Sequence, residues 1–226
     1  VQDRRLLNRR VRIHGDDIAV VIAEDEVAAS RAARLVKVEY EEYPALVTPE
    51  QAMAESAPQL HENYPRNILK ETTLSMGDAS FEQAAGKAAL VHQGNYATQA
   101  VQHCHIEVPV SYAYMEKGRI VVVSSTQIPH IVRRVIGQAI GIPWGKIRVI
   151  KPYIGGGFGN KQEVLYEPLN AWLTYMLGGR PVKLEISREE TMLGTRTRHA
   201  ISFDITSAVD REGRLLARRV DAISNQ

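Results

Sequence analysis

The sequence is poor in cysteine, in net charge and in long apolar runs, and each shortage removes a class of protein. Cys104 is the only cysteine among 226 residues, so the chain builds no internal disulfide and no all-cysteine iron–sulfur or zinc site of its own. Any redox chemistry here needs a cofactor held by other means. The formal net charge is +2, from 28 Lys+Arg against 26 Asp+Glu. Basic pairs at Arg4–Arg5, Arg9–Arg10, Arg133–Arg134 and Arg218–Arg219 are offset by acidic stretches such as Glu39 to Glu42, which fits solvated surface and argues against a nucleic-acid partner. No apolar run approaches the roughly 20 residues of a membrane helix. The opening VQDRRLLNRRVRIHG has no signal-peptide core, so the sequence reads as soluble and cytoplasmic, with no membrane partner.

What is present is a globular composition, 44% hydrophobic and 24% charged, in a chain long enough for one or two domains. IAVVIA (Ile18 to Ala23), EDEVAASRAARL and VKVEYEEY (Val36 to Tyr43) predict strand, helix and strand of a small α/β lobe. From Thr48 to Gly86 the pattern weakens into a connector. It carries Pro49, Pro58 and Pro65, a turn-like Gly77–Asp78, and a capping box at Thr48-Pro49-Glu50-Gln51. From Leu90 long strands are expected, LVHQGNYATQAVQHCHIEVPV and VSYAYMEKGRIVVVSSTQ, the second turning at Glu116-Lys117-Gly118. Ile131, Val132, Val135, Ile136, Ala139 and Ile140 share one face at helical spacing, ending near Gly141. The strand KIRVIKP leads into a glycine-rich loop. A second amphipathic helix follows, from Val164 to Leu177 before Gly178–Gly179. VKLEIS, a capping box at Ser187 and Glu190, and a hairpin turning at Arg211-Glu212-Gly213 complete the chain.

The loop, GGGFGNKQ from Gly155 to Gln162, places four glycines in five residues, each costing roughly 0.5–1 kcal/mol in ordering entropy relative to alanine. It is no dinucleotide fingerprint: from Gly155 and Gly157 the third glycine falls on Asn160, and from Gly157 and Gly159 it falls on Gln162. It is no phosphate loop either, because Lys161 follows Asn160 and precedes Gln162. A ligand-facing loop and a tight structural turn both remain open. Its expected place at a strand-to-helix crossover is where α/β folds gather ligands. His103 and His105 would share one face of a strand and offer two metal ligands, but no third ligand is evident, which leaves packing as the default for both.

Six segments in order, GDDIAVVIAEDEVAASRAARLVKVEYEEYPAL, VQHCHIE, SSTQIPH, RVIKPYIGGGFGNK, GGRPVKLEISREETML and RTRHA, resemble the molybdenum-binding subunit of the xanthine dehydrogenase and aldehyde oxidoreductase family. The resemblance implies an α+β fold. An α/β hammerhead lobe over residues 1–47 and a connector over 48–86 would precede the first part of the molybdopterin-binding domain, with mixed strands and helices, over 87–226. It also implies a longer parent subunit. The catalytic base would lie outside this stretch, so no residue here is assigned that role, and the stretch alone is expected to be inactive.

The resemblance further implies that Gly156, Gly157, Phe158 and Gly159 lie against the molybdenum cofactor, with the backbone and ring of Phe158 bordering the metal. The carboxamide of Gln127 would donate a hydrogen bond to an oxygen ligand of the metal without adding charge beside it. Gln162 and Arg198 become substrate-binding candidates. Purine-oxidising relatives often place glutamate where Gln162 stands, a departure that weakens the case for a purine. Arg198 matches the arginine that stabilises charge developing on such a substrate. Glu107 matches a glutamate that follows the strand in relatives. For the parent protein the resemblance implies oxidation of a carbon next to nitrogen or oxygen, with water as oxygen source. The substrate would be a purine such as xanthine or hypoxanthine, or alternatively an aldehyde, carbon monoxide or an aromatic acyl thioester. A non-catalytic cofactor- or partner-binding segment is the other alternative. The implied cofactor is molybdenum–molybdopterin, plain or as the cytosine dinucleotide. FAD and 2Fe-2S clusters would sit on partner subunits or other segments of an oligomeric complex.

Overall fold

The computed structural model describes residues 6–77 and 79–225. The Arg4–Arg5 pair and Asp78 of the expected Gly77–Asp78 turn lie outside the described residues. The fold is of mixed α and β type with two separate sheets, and its two compact units each draw on discontinuous stretches of chain.

The first unit comprises residues 6–36 and 102–197. Its helices are α1 (Glu26–Ala33), α4 (Pro129–Ile140), α5 (Glu167–Met176) and α6 (Arg188–Gly194), and its strands are β2 (Val110–Glu116), β3 (Arg119–Ser124), β4 (Ile147–Ile150) and β5 (Val182–Glu185). The strands form one sheet in the order β4-β3-β2-β5. β2 and β3 make the expected hairpin through Lys117 and Gly118, whose φ angles of 47° and 72° are the two left-handed positions a two-residue turn needs. β4 joins β3 in parallel, so α4 serves as the crossover between them. α4 buries Val132 and Ile136 against Ala113, Ile120, Val122, Ile147 and Ala171, and stops at Gly141 in the left-handed conformation. α5 lies across the sheet, where Asn170 Nδ2 donates to the Ser111 carbonyl at 3.0 Å and Thr174 Oγ1 donates to the Ala113 carbonyl at 3.1 Å. A second apolar cluster joins Leu165, Leu169 and Leu173 to Val182 and Ile186, with Leu6, Leu7 and Val20 packed on it.

The second unit comprises residues 37–101 and 198–225. It holds α2 (Pro49–Met53), α3 (Phe81–Ala85), β1 (Leu90–Thr98), β6 (Ala200–Val209) and β7 (Leu215–Asn225). The three strands form an antiparallel sheet in the order β1-β6-β7. Capping boxes start α2 at Thr48, α3 at Ser80 and, in the first unit, α6 at Ser187. Residues 48–86 are not a bare linker within this unit: α3 packs on β7, with Arg219 ion-paired to Glu82 and lying 4.6 Å from the centre of the Phe81 ring.

Three expectations differ from the structure. Ile18 to Ala23 and Val36 to Tyr43 form no strand among the described residues, because a strand exists only through a paired ladder and neither run has one; Val36, Val38, Tyr40 and Tyr43 are exposed. Of the long strand expected from Leu90 to Val110 only β1, Leu90–Thr98, forms, and β2 opens the next expected run at Val110. Between them Val101 makes a single bridge and Cys104 turns the backbone to φ 50°, so His103 and His105 do not share a strand face. Among the described residues no group of three or more His, Cys, Asp or Glu is placed to hold a metal ion. The second amphipathic helix begins at Glu167 rather than Val164, since residues 160–162 form a separate short turn of 3-10 helix after the glycine loop.

Candidate functional site

The glycine loop leaves the C-terminal end of β4 and runs through Gly155–Gly159 into the 3-10 turn at Asn160–Gln162. Gly156 and Gly159 have φ angles of 96° and 99°, a region side chains rarely adopt. Phe158 has φ 49° and is 73% exposed, so a bulky residue is held in strained backbone with most of its surface uncovered. Such strain costs about 1–3 kcal/mol and persists only where the surroundings fix it. The loop is fixed by its own short bonds, Asn160 N–H to the Gly157 carbonyl at 2.8 Å and Gln162 N–H to the Gly159 carbonyl at 3.1 Å.

Gln127, just beyond the end of β3, lies against this loop. Its backbone N–H donates to the Lys161 carbonyl at 2.8 Å, and its Oε1 accepts the Gly159 N–H at 3.3 Å. A Cβ on Gly157 would lie 2.5 Å from Gln127 Oε1, so glycine is required for this approach. With Oε1 turned to the loop, the Nε2 amine makes no hydrogen bond among the described residues and is available to a ligand.

Gly155 packs on Glu107: a Cβ there would lie 2.6 Å from Glu107 Cβ, and Glu107 Oε2 accepts the Gly155 N–H at 3.0 Å. The same oxygen meets Lys161 Nζ at 2.5 Å. Lys161 is 2% exposed although its position in a polar loop gave no hint of burial. Burial pushes the Glu107 carboxyl up, but the bonds from Lys161 and the Gly155 N–H outweigh this and hold it below the usual carboxylate value. Sequence reasoning also missed Asn160, buried and donating through Nδ2 to Thr195 Oγ1 at 3.0 Å and Gln102 Oε1 at 3.3 Å. Burial lowers the His105 imidazole below its usual value; its Nδ1 meets the Glu107 carbonyl at 2.5 Å.

The structure therefore brings Gln127, Gly156, Gly157, Phe158 and Gly159 together in the first unit. Gln162 is nearby in sequence with an exposed side chain, while the neighbouring Glu163 is ion-paired with Arg196. Arg198 belongs to the second unit, where its backbone pairs with Val101 and its side chain is exposed. Around the loop, His103 Nδ1, His105 Nε2, Asn160 Oδ1 and Arg188 Nη1 are buried without a hydrogen-bond partner among the described residues. Each such group costs about 1–3 kcal/mol if nothing meets it. Close-approach glycines, a free carboxamide amine and unmet polar atoms are what a large polar cofactor with oxygen and nitrogen edges requires, so these residues fit one.

Residues 60–226 match the molybdopterin cofactor-binding domain family, and residues 1–44 match the a/b hammerhead domain of aldehyde oxidase and xanthine dehydrogenase. The chain belongs to this family of molybdopterin cofactor-binding proteins. It is 53% identical to the xanthine dehydrogenase molybdenum-binding subunit of Escherichia coli O157:H7, over 99% of this chain and 29% of that protein. It is 31% identical to the carbon monoxide dehydrogenase large chain of Hydrogenophaga pseudoflava, over 97% of this chain and 29% of that one. The crystal structure of the aldehyde oxidoreductase from Desulfovibrio desulfuricans matches with a TM-score of 0.89 at 27% identity, covering 97% of this chain and 24% of that chain. The chain thus spans less than a third of these relatives' length. No helix among the described residues is long and apolar enough to cross a membrane.

Proposed function

We propose that the chain is the molybdenum-cofactor-binding part of a cytoplasmic, xanthine dehydrogenase-like hydroxylase that oxidises a purine at carbon with water as oxygen source. The observation that carries this reading is the packing of Gln127 against the Gly155–Gly159 loop, which turns Gln127 Oε1 to the loop and leaves its Nε2 without a partner among the described residues. When bound, the molybdenum–molybdopterin cofactor, plain or as the cytosine dinucleotide, supplies the two-electron redox chemistry. The chain's own residues orient and shield. Gln127 Nε2 donates a neutral hydrogen bond toward the cofactor's oxygen edge. Phe158, already extended from strained backbone, gives an apolar wall that excludes water. Gln162 offers both a donor and an acceptor to a heterocycle, and Arg198 supplies a cation for charge developing on a purine. FAD and 2Fe-2S groups on partner subunits or other segments of an oligomeric complex would supply the route for the electrons.

The 53% identity to a xanthine dehydrogenase subunit favours the purine. Gln162, which cannot provide the charge of a glutamate, and the similarity to carbon monoxide and aldehyde enzymes support a second reading, oxidation of an aldehyde, carbon monoxide or an acyl thioester. The test is to purify the full-length protein from molybdenum-supplied cells. Metal per subunit, the extracted pterin and turnover of xanthine, hypoxanthine, benzaldehyde and carbon monoxide are then measured. The purine reading expects bound molybdenum and the highest kcat/KM on xanthine or hypoxanthine. Preference for another substrate selects the second reading, and a protein without molybdenum overturns both.

A further inference from the structure

Glu107 and Lys161 are an unusual pair to find at a loop. Lys161 is almost wholly buried, its Nζ 2.5 Å from a carboxylate whose side chain is 31% exposed. Removing a lysine from water can cost more than one such contact returns, and apolar replacements of similar volume are often as stable or more so. Stability is therefore a weak reason for the pair, and its geometry supplies another. A single oxygen, Glu107 Oε2, accepts from both Gly155 N–H, which opens the glycine run, and Lys161 Nζ, which follows it. Glu107 N–H also donates to the Gly155 carbonyl at 3.1 Å. The Lys161 carbonyl in turn accepts the Gln127 N–H.

Glu107 is itself held in place. Arg188 Nη2 donates to the carbonyls of His105 at 2.8 Å and Ile106 at 2.9 Å, and Arg188 opens α6, whose start is fixed by the Ser187 cap. The first residue of α6 thus holds the two residues that precede Glu107, and the Glu107 carboxylate spans both ends of a loop made mostly of glycine.

We infer that Glu107 and Lys161 form a clasp that positions the glycine loop and Gln127: Glu107 is a positioning residue acting through Gly155 and Lys161. The inference deepens the proposed function, since it rests on the loop being the cofactor-facing element. It predicts that the clasp sets where the loop backbone stands, and through it where the Gln127 amine points, without touching substrate.

The test uses the full-length protein with Glu107→Gln, Lys161→Met and the double variant. Glu107→Gln keeps an acceptor for Gly155 N–H but leaves the Lys161 cation unpaired, whereas the double variant removes both charges, so that in it no unpaired buried charge threatens folding. Hydrogen–deuterium exchange read by mass spectrometry over residues 153–163 is expected to quicken by about tenfold in each single variant, the scale of one lost charged hydrogen bond. The double variant should exchange as fast in the loop while melting within a few degrees of wild type, with α4 and α5 unchanged. In molybdenum-loaded protein Glu107→Gln should lower kcat with KM within about twofold, as expected for an interaction that acts on the reacting geometry alone. Wild-type exchange in the loop of all three variants, or acceleration spread evenly over α4 and α5, overturns the clasp. Wild-type protein that carries no molybdenum would instead sink the proposed function, and the exchange measurement still decides the clasp.

Discussion

A Cβ on Gly157 would stand 2.5 Å from Gln127 Oε1, and that oxygen also accepts the Gly159 N–H. Loop backbone and glutamine side chain fill each other's space. Gly157→Ala is therefore expected to displace the Gln127 carboxamide. In the full-length enzyme kcat should fall on the order of 100-fold, the scale of a misplacement of about 1 Å at a reacting centre. Steady-state kinetics with molybdenum content measured in parallel checks this, and an unchanged kcat would mean that Gln127 needs no fixed position.

Gln127→Ala removes the amine but leaves the loop glycines free. Turnover should drop while KM for the substrate changes little, since the amine is proposed to face the cofactor. A large rise in KM with kcat preserved would assign Gln127 to substrate instead.

Arg198→Met probes the substrate class. For a purine, kcat/KM should fall by on the order of 100-fold, the usual loss when a donor aimed at developing charge is removed. A small aldehyde, with no delocalised charge away from the reacting carbon, should respond far less. If xanthine oxidation stays within a few-fold of wild type, Arg198 is only a solvated residue at the start of β6.

Glu167 gives a pH prediction. It sits in the first turn of α5 with 5% exposure, accepting from Ser124 Oγ at 2.7 Å and from the Leu165 N–H at 2.8 Å. Burial raises its carboxyl above the ordinary 4.5, against the opposing pull of these bonds. The folded value lies above the unfolded one, so its contribution to stability is fully present below the unfolded value and is lost as pH rises through the folded value. Melting temperature measured against pH should show this loss on the alkaline side of 4.5 in wild type, and Glu167→Gln should remove that part of the dependence. Parallel curves for the two proteins would show that the carboxyl titrates as it does in the unfolded chain.

The sequence carried the local rules well and the paired ones poorly. The hairpin at Lys117-Gly118, the end of α4 at Gly141 and the capping boxes at Thr48 and Ser187 each depend on residues within a few positions of one another, and all were readable. Strand expectations at Ile18–Ala23 and Val36–Tyr43 depended on partners that composition cannot reveal. At the site, the glycine loop and Gln127 stood out because their residue types are costly or specific. Lys161 did not: a lysine beside asparagine and glutamine looks solvated. Its burial follows from Glu107, 54 positions earlier. Glu167 was equally hidden, because an acid before proline reads as an ordinary helix start.

The two compact units are each assembled from stretches far apart in sequence, residues 6–36 with 102–197 and 37–101 with 198–225. During synthesis, neither unit can close when its first stretch leaves the ribosome. β1 emerges early yet has its ladder partner in β6, with Leu90 opposite Val209, and must wait as an unpaired strand until residues 200–209 have been made. Long-range pairing of this kind slows folding and leaves strand edges open to aggregation meanwhile. The order of birth of the segments thus makes the sheet of β1, β6 and β7 form after that of β2 to β5, and leaves β1 in need of protection on the nascent chain meanwhile.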